Sequence, residues 1–302
     1  MLIDILRCIN EIIQYNAVQW NIGFSNCTKE QLVENGSIGT IRWVKHQFKD
    51  RWFADPFFLD TTENEYDILV EEMDTINKKG KISRMIINKE SMEIKSLTTI
   101  LELPTHLSFP NILCKNGNIY FYPENAESCT LDFYLFNPKN NEVRKQDNII
   151  QNLPIVDAQF LEIGERFLLL GIIKPNQSKD TVTVFESTKW NGEFQKKGEF
   201  KVAARTARGA GKIFKYNGNL YRPSQDSAKA YGNGVVISKI DLNNEQLIST
   251  EIKRFYPQKG TIYNAGLHTI NFFHDNILVL DGYYYNNPTL VKIINKIKAF
   301  IQ

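Results

Sequence analysis

Asp55 stands in Arg51-Trp-Phe-Ala-Asp-Pro-Phe57, an acid among aromatics immediately before a proline. Such a carboxylate suits a general base, or an anchor for sugar hydroxyls beside a stacking Trp52. The structural alternative is a strand-start Asp bonded to its own backbone. Asp157, in Pro154-Ile-Val-Asp-Ala-Gln-Phe160, lies in apolar context where an unpaired charge is costly, so a buried Asp157 requires a partner such as Arg208. Glu124 closes Tyr122-Pro-Glu after an aromatic and aliphatic strand, surroundings that raise a carboxyl pKa and suit a general acid; a strand-end Glu in solvent is the other reading. Arg222-Pro-Ser-Gln-Asp226 gathers a fork donor, an amide and a carboxylate, a set fit for hydroxyls, carboxylates or phosphates, or for an internal Arg222–Asp226 ion pair. His268, in Gly266-Leu-His-Thr269, offers a group for a hydroxyl or phosphate, or a histidine simply hydrogen-bonded in place.

These residues are far apart in the chain, so only a repeating architecture brings them together. Five segments share one plan of apolar strand, polar turn and second apolar strand. They begin near Ala54, Phe109, Val156, Ala210 and Gly266, a period of about 50 residues that suits a four-stranded propeller blade. Turns such as Asn217-Gly218 between β-rich runs mark each copy as a hairpin. The apolar runs are nearly continuous, as expected of strands buried on both faces, and Ile82 to Asn88 and Thr181 to Glu186 supply outer strands. The reading is all-β: a five-bladed β-propeller over residues 26–287. A helical lead-in over 1–25 precedes it, and a basic amphipathic helix over 288–302, opened by Thr289, follows it. That last helix packs on its own domain, with peripheral membrane contact through Lys292, Lys296 and Lys298 as the lesser alternative. In a propeller the inner strands crowd the axis, which gathers Asp55, Glu71, Glu72, Glu124, Asp157, Arg208, Arg222, Gln225, Asp226, His268 and Asp281 into one funnel.

Composition narrows the partners. The 302 residues carry 36 Lys and Arg against 34 Asp and Glu, so no bulk field recruits nucleic acid. Cys8, Cys27, Cys114 and Cys129 are widely spaced, and no long apolar run is present, which reads as a soluble cytoplasmic protein with reduced thiols. His46, His106, His268 and His274 lack paired spacing, and neither a P-loop, a GxGxxG nor a GxSxG occurs, so no metal and no cofactor is expected. A hydrated cation on an acid-lined axis is the minor alternative.

The motifs Trp20-Asn-Ile-Gly, Phe53-Ala-Asp-Pro-Phe, Val70-Glu-Glu, Ser108-Phe-Pro-Asn, Tyr122-Pro-Glu, Val156-Asp-Ala, Arg208-Gly-Ala-Gly, Tyr221-Arg-Pro-Ser-Gln-Asp, Tyr231-Gly and Gly266-Leu-His-Thr carry a family resemblance. Over about residues 18 to 283 the chain resembles the N-terminal propeller domain of the glucosamine inositolphosphorylceramide transferases and their bacterial polysaccharide-biosynthesis relatives. The resemblance implies a glycan context. More distantly the chain is similar to five-bladed arabinanases and β-xylosidases, which implies Asp55 as base, Asp157 as the residue tuning the acid and Glu124 as acid. Those enzymes run Asp, Asp, Glu along the chain where this one runs Asp, Glu, Asp, so Asp226 or Glu72 stand as alternative acids. The expected function is glycosidase-like or glycosyl-transferring action in bacterial surface polysaccharide assembly, with Asp55, Asp157 and Glu124 catalytic. Trp52, Glu72, Arg208, Arg222, Gln225, Asp226, His268 and Asp281 bind substrate. The alternative is a noncatalytic glycan or sugar-nucleotide binding module that assists a separate glycosyltransferase.

Overall fold

Alternating apolar runs and tight turns fold into five antiparallel four-stranded sheets. The computed structural model describes residues 17–175, 179–243, 246–289, 291 and 293. Blade I comprises β3 (Arg51–Thr61), β4 (Glu65–Asp74), β5 (Lys79–Asn88) and β6 (Ile94–Leu101), and blade II comprises β7 (Ser108–Lys115), β8 (Asn118–Glu124), β9 (Leu131–Asn137) and β10 (Glu142–Ile150). Blade III holds β11 (Ile155–Ile163), β12 (Arg166–Ile173), β13 (Thr181–Ser187) and β14 (Gln195–Lys201). Blade IV holds β15 (Phe214–Tyr216), β16 (Asn219–Asp226), β17 (Gly234–Asn243) and β18 (Gln246–Phe255). The chain is a five-bladed β-propeller, as its period predicts.

Blade V is composite. Its inner strands β19 (Ile270–Phe273) and β20 (Ile277–Tyr285) come from the end of the chain, and its outer strands β1 (Val18–Ser25) and β2 (Arg42–Trp43) come from the beginning. β1 pairs with β20 from Val18↔Tyr285 to Ser25↔Leu278, which closes the ring. This corrects the boundary expected at residue 25: Val18–Ser25 is not part of a helical lead-in but a strand of the propeller itself. Val18, Trp20, Ile22 and Phe24 alternate with Gln19, Asn21, Gly23 and Ser25, a period of two that belongs to a strand. Residues 1–16 lie outside the described residues. Of the helix expected over 288–302, Pro288, Thr289, Val291 and Ile293 are helical and the remainder lies outside the described residues. It opens one residue before Thr289, because the fixed φ of Pro288 suits a first helical position. Among the described residues no helix is long and apolar enough to cross a membrane.

The core sits between the blades. Phe57, Leu69, Phe109 and Phe121 join blades I and II, and Tyr122, Phe133, Ala158 and Phe185 join II and III. Val156, Leu170, Ile240 and Leu247 join III and IV, Phe214, Ile237, Leu267 and Leu280 join IV and V, and Ile22, Phe24, Phe53 and Val70 join V and I. Each sheet therefore loses water from both faces, and the rigid ring fixes what its inner strands present to the axis.

Candidate functional site

One backbone device recurs at the axis. Asp55, Phe109 and Asp157 occupy equivalent places near the start of β3, β7 and β11, and all three have left-handed φ values, 49°, 48° and 48°. The strand pairing slips at each place, between Ala54 and Phe57, Ser108 and Asn111, and Val156 and Gln159. Such bulges redirect a side chain and free a backbone N–H at a cost in strain. Each freed N–H donates to a carboxylate: Asp55 N to Asp281 Oδ2 at 3.1 Å, Phe109 N to Asp55 Oδ2 at 3.1 Å, and Asp157 N to Glu124 Oε2 at 3.2 Å. The acids thus stitch neighbouring blades together around the axis.

Two groups result. In the first, Asp55 Oδ1 accepts from Thr269 Oγ1 at 2.5 Å and lies 3.9 Å from His268 Nε2. His268 Nδ1 lies 2.6 Å from Asp281 Oδ2, and the N–H groups of His268 and Thr269 donate to Asp281 Oδ1 at 2.9 and 3.0 Å. Glu71 on β4 is a buried neighbour of Asp55, whose charge helps raise its pKa. Its other neighbour is His106, whose Nδ1 accepts from Gly80 N–H and whose Nε2 lies 3.4 Å from Glu71 Oε1. In the second group Arg208 grips Asp157 through Nε on Oδ2 and a terminal nitrogen 3.1 Å from Oδ1, and reaches Glu124 Oε2 at 3.7 Å. Gln225 Nε2 donates to Asp157 Oδ2 at 3.3 Å and to Gly209 O at 3.0 Å, and Lys174 Nζ stands 3.5 Å from Glu124 Oε1.

So many acids cannot all ionise together. Burial, with Asp157 beside it, pushes Glu124 up to about 8 against the pull of Arg208 and Lys174. Burial pushes Asp55 up to about 6, His268 opposing and Asp281 and Asp157 assisting. Glu71 is held well above the carboxylate range by burial and by Asp55, Glu124 and Asp281. Burial disfavours the imidazolium of His268, yet Asp281 and Asp55 outweigh it and raise the pKa. The mutual effects of Asp55 with Asp157 and of Glu71 with Glu124 place both groups in one electrostatic unit. Burial raises both Glu124 and Asp55, Glu124 the further, and a difference in that direction is what acid–base chemistry needs.

Aromatic rings wall the unit. Trp20 stacks on His268 with centroids 4.1 Å apart and lies 6.4 Å from Trp52. Tyr231, 51% exposed, stands edge-on to His268 at 5.4 Å and over the Arg208 guanidinium at 5.3 Å. Ligand-type atoms of Asp55, His268 and Asp281 lie within 4.8 Å of one another, close enough to share a cation. Asp281, however, already accepts from three backbone N–H groups and pairs with His268.

The family described as glucosamine inositolphosphorylceramide transferase 1, N-terminal, matches residues 19–266. The chain belongs to this family. Glucosamine inositolphosphorylceramide transferase 1 of Arabidopsis thaliana is 26% identical over 229 residues, covering 73% of this chain and 30% of the plant protein. The chain spans less than a third of that relative's length. Solved structures of similar shape include a GH43 β-1,3-galactosidase (TM-score 0.55, 11% identity, 72% of this chain and 52% of the other). An exo-β-1,3-galactanase from Phanerochaete chrysosporium with galactose is also similar (0.51, 8%, 70% and 53%). So is GH43B of a Bacteroides ovatus xyloglucan locus (0.50, 8%, 73% and 50%). At these identities the likeness is one of fold.

Of the positions expected to converge, this member of the glucosamine inositolphosphorylceramide transferase N-terminal family brings together Asp55, Glu71, Glu124, Asp157, Arg208, Gln225, His268 and Asp281, with Trp52 in the wall. Three others are committed elsewhere. Glu72 pairs with Arg51 at 2.7 Å and accepts from Ser83 at 2.6 Å, because one step along β4 from Glu71 reverses the face. Arg222 does not pair with Asp226. It is fully buried and donates to Gln159 Oε1 at 2.7 Å, to Ala207 O at 2.5 Å and to Thr206 O at 3.4 Å, tying blade IV to blade III. Asp226 instead meets Arg254 at 2.9 Å and Tyr256 at 3.0 Å; burial works upward on it, but these bonds and Ala228 N–H bring its pKa below the usual value. Glu72 and Asp226 therefore drop out as alternative acids. Thr269, Lys174 and His106 escaped the sequence reading. The motifs Gly266-Leu-His-Thr and Trp20-Asn-Ile-Gly contain the signal for Thr269 and Trp20, and nothing in the sequence singles out Lys174.

Proposed function

We propose that the axial site binds a sugar or sugar conjugate and acts on it in a glycosidase-like or glycosyl-transferring step, as part of surface polysaccharide assembly. The observation that carries this is the gathering of Asp55, Glu124 and Asp157 in one buried, aromatic-walled cluster, where burial raises Glu124 and Asp55 above the usual carboxylate range. Glu124 supplies the proton to a leaving oxygen, Asp157 in the grip of Arg208 keeps that proton available, and Asp55 serves as base beside Trp52 and Trp20. The relatives' names, a sugar transferase and galactan- and xyloglucan-related GH43 proteins, support a glycan ligand. An inverting hydrolysis would require about 6.5 to 9.5 Å between the two carboxyls. The test is turnover of aryl glycosides and sugar nucleotides by wild type, Asp55→Asn and Glu124→Gln. Loss of about 100-fold or more in each variant with ligand binding retained is expected, and equal turnover in all three rejects the assignment.

A second reading has its own support. Asp157 and Asp281 are saturated by protein donors, as in a rigid binding site. On this reading the propeller is a noncatalytic module that presents a glycan or sugar nucleotide to a separate glycosyltransferase. Sugar binding that survives Asp55→Asn, with no turnover of any donor by the wild type, selects it. The thiols of Cys27, Cys114 and Cys129 are free, which supports a reducing, cytoplasmic setting.

A further inference from the structure

Glu71 is a buried acid of the axial unit that the proposed chemistry does not use. It comes from β4 at the place from which Glu124 comes on β8: Glu71 pairs in register with Ala54 and Glu124 with Ser108, each the residue before a left-handed bulge. Glu124 receives the N–H of the bulge residue in the next blade, Asp157, and faces Arg208 and Lys174. The corresponding N–H beside Glu71, that of Phe109, is taken by Asp55 Oδ2 instead. Among the described residues no backbone N–H, Lys or Arg donates to the Glu71 carboxyl. A buried carboxylate with neither a cation nor a backbone donor is costly, so Glu71 belongs in its neutral form.

What Glu71 does meet is an imidazole. Gly80 N–H donates to His106 Nδ1 at 2.9 Å, so the neutral ring carries its proton on Nε2, and Nε2 stands 3.4 Å from Glu71 Oε1. Burial lowers the His106 pKa against the pull of Glu127, with Lys174 assisting. The residue is also held by its backbone: His106 N–H donates to Glu127 Oε2 at 3.1 Å and Leu107 N–H to Gly80 O at 3.0 Å. A Cβ at Gly80 would sit 2.5 Å from Leu107 O, 2.7 Å from His106 Cε1 and 2.9 Å from Glu71 Oε1, so only glycine lets carboxyl and imidazole close on this backbone. With Oε1 facing an N–H, the proton of Glu71 belongs on Oε2. Burial raises the Glu71 pKa most, and of its acid neighbours Asp55 leads, followed by Glu124 and Asp281.

We infer that Glu71 is a positioning residue for Asp55: as a neutral carboxylic acid anchored by His106, it donates a hydrogen bond to the Asp55 carboxylate. That bond joins those from Thr269 Oγ1 and Phe109 N–H, fixes the orientation of the carboxylate and favours its ionised form, the form a base requires. Burial opposes that form most, His268 favours it, and Asp281 and Asp157 oppose it. The inference rests on Asp55 being the base of the proposed reaction and adds the residue that keeps it one.

Carboxyl-carbon NMR of the full chain labelled at aspartate, recorded with EDTA so that no cation shares the site, follows the Asp55 titration in wild type, Glu71→Gln, Glu71→Leu and His106→Ala; Asp55→Asn assigns the signal. Gln keeps a neutral donor, so Asp55 is expected to titrate within about half a pH unit of wild type in Glu71→Gln. Leu removes the donor, and the Asp55 midpoint is expected to rise by about one unit or more, with a smaller rise in His106→Ala. An ionised Glu71 would repel the Asp55 charge, so both Glu71 substitutions would lower the midpoint, and that result overturns the inference. A midpoint unchanged in all three variants overturns it too and leaves Glu71 a packing residue, even where the urea midpoint falls. Should Glu71→Leu fail to fold, Glu71→Gln and His106→Ala decide the matter by the sign of the shift. No ligand enters the measurement. An Asp55 titration that follows Glu71, in a protein that turns over no glycoside or sugar nucleotide, keeps the positioning pair and rejects the base, so the two failures are distinguishable.

Discussion

Glu124 shows how one carboxyl links burial to both chemistry and stability. Its ordinary value is 4.5 and its folded value about 8, so between these pH values the folded protein keeps a proton that the unfolded chain has lost. Stability therefore falls as pH rises across that window, and the contribution is fully present only below it. Glu124→Gln removes the titration. The variant is expected to gain stability over wild type between pH 5 and 8, by on the order of a few kcal/mol, with the difference vanishing at the acid end. Urea unfolding at several pH values checks this, and parallel curves for the two proteins count against a buried neutral Glu124. Asp55, Asp157 and Glu124 were legible in the sequence because each is an acid in apolar surroundings, where a charge demands explanation. Glu72 and Asp226 were not. Neighbouring residues of a strand face opposite ways, and composition does not say which of Glu71 and Glu72, or of Gln225 and Asp226, looks inward.

The hairpins were legible because turn residues and apolar runs are local signals, whereas contacts between blades leave no local trace. Arg222 is the clearest case. In sequence it shares a motif with Gln225 and Asp226, yet it reaches from β16 to Gln159 on β11 and to the carbonyls of Thr206 and Ala207, and burial lowers its pKa to about 10. Arg222→Ala strands those acceptors between two blades and is expected to cost about 3 kcal/mol of stability while leaving ligand affinity unchanged. Denaturant unfolding and ligand titration of the same variant separate a structural tie from a binding role, and lost affinity without lost stability rejects the tie. A similar join lies between blades IV and V. Gly211 has φ 130°, and a Cβ there would sit 1.9 Å from Ile270 O. The obstructing atom is backbone, and Ile270 N–H is bound to Ala210 O at 2.8 Å, so the neighbour cannot turn aside. Gly211→Ala is expected to cost about 2 kcal/mol or more; a lowered urea midpoint is the readout, and an unchanged one shows that the blades can part.

Ring closure makes the axial site a property of the whole molecule. The repeat in the sequence predicts five blades, but it does not reveal that the fifth is completed from the other end of the chain, because β1 has no turn-linked partner in its own neighbourhood. β1 contributes more than hydrogen bonds to β20. Trp20 stacks on His268, and Asn21 donates to Val44 O at 2.7 Å and to Tyr263 Oη at 2.6 Å, so one strand both seals the ring and covers the acids. Without it, β20 has an open edge, the apolar contacts of Ile22 and Phe24 with blade I are lost, and His268 faces solvent. A chain beginning at Asn26 is therefore expected to lose cooperative unfolding and near-ultraviolet dichroism together, rather than to fold as four blades with a loose fifth. Trp20→Ala in the full chain separates the two roles of the strand: the ring should stay closed, and the pKa of His268, followed by its ring-proton NMR shifts, should move because its stacked cover is gone. A truncated chain that unfolds in one sharp transition would show that the other blades hold the ring without the closing strand.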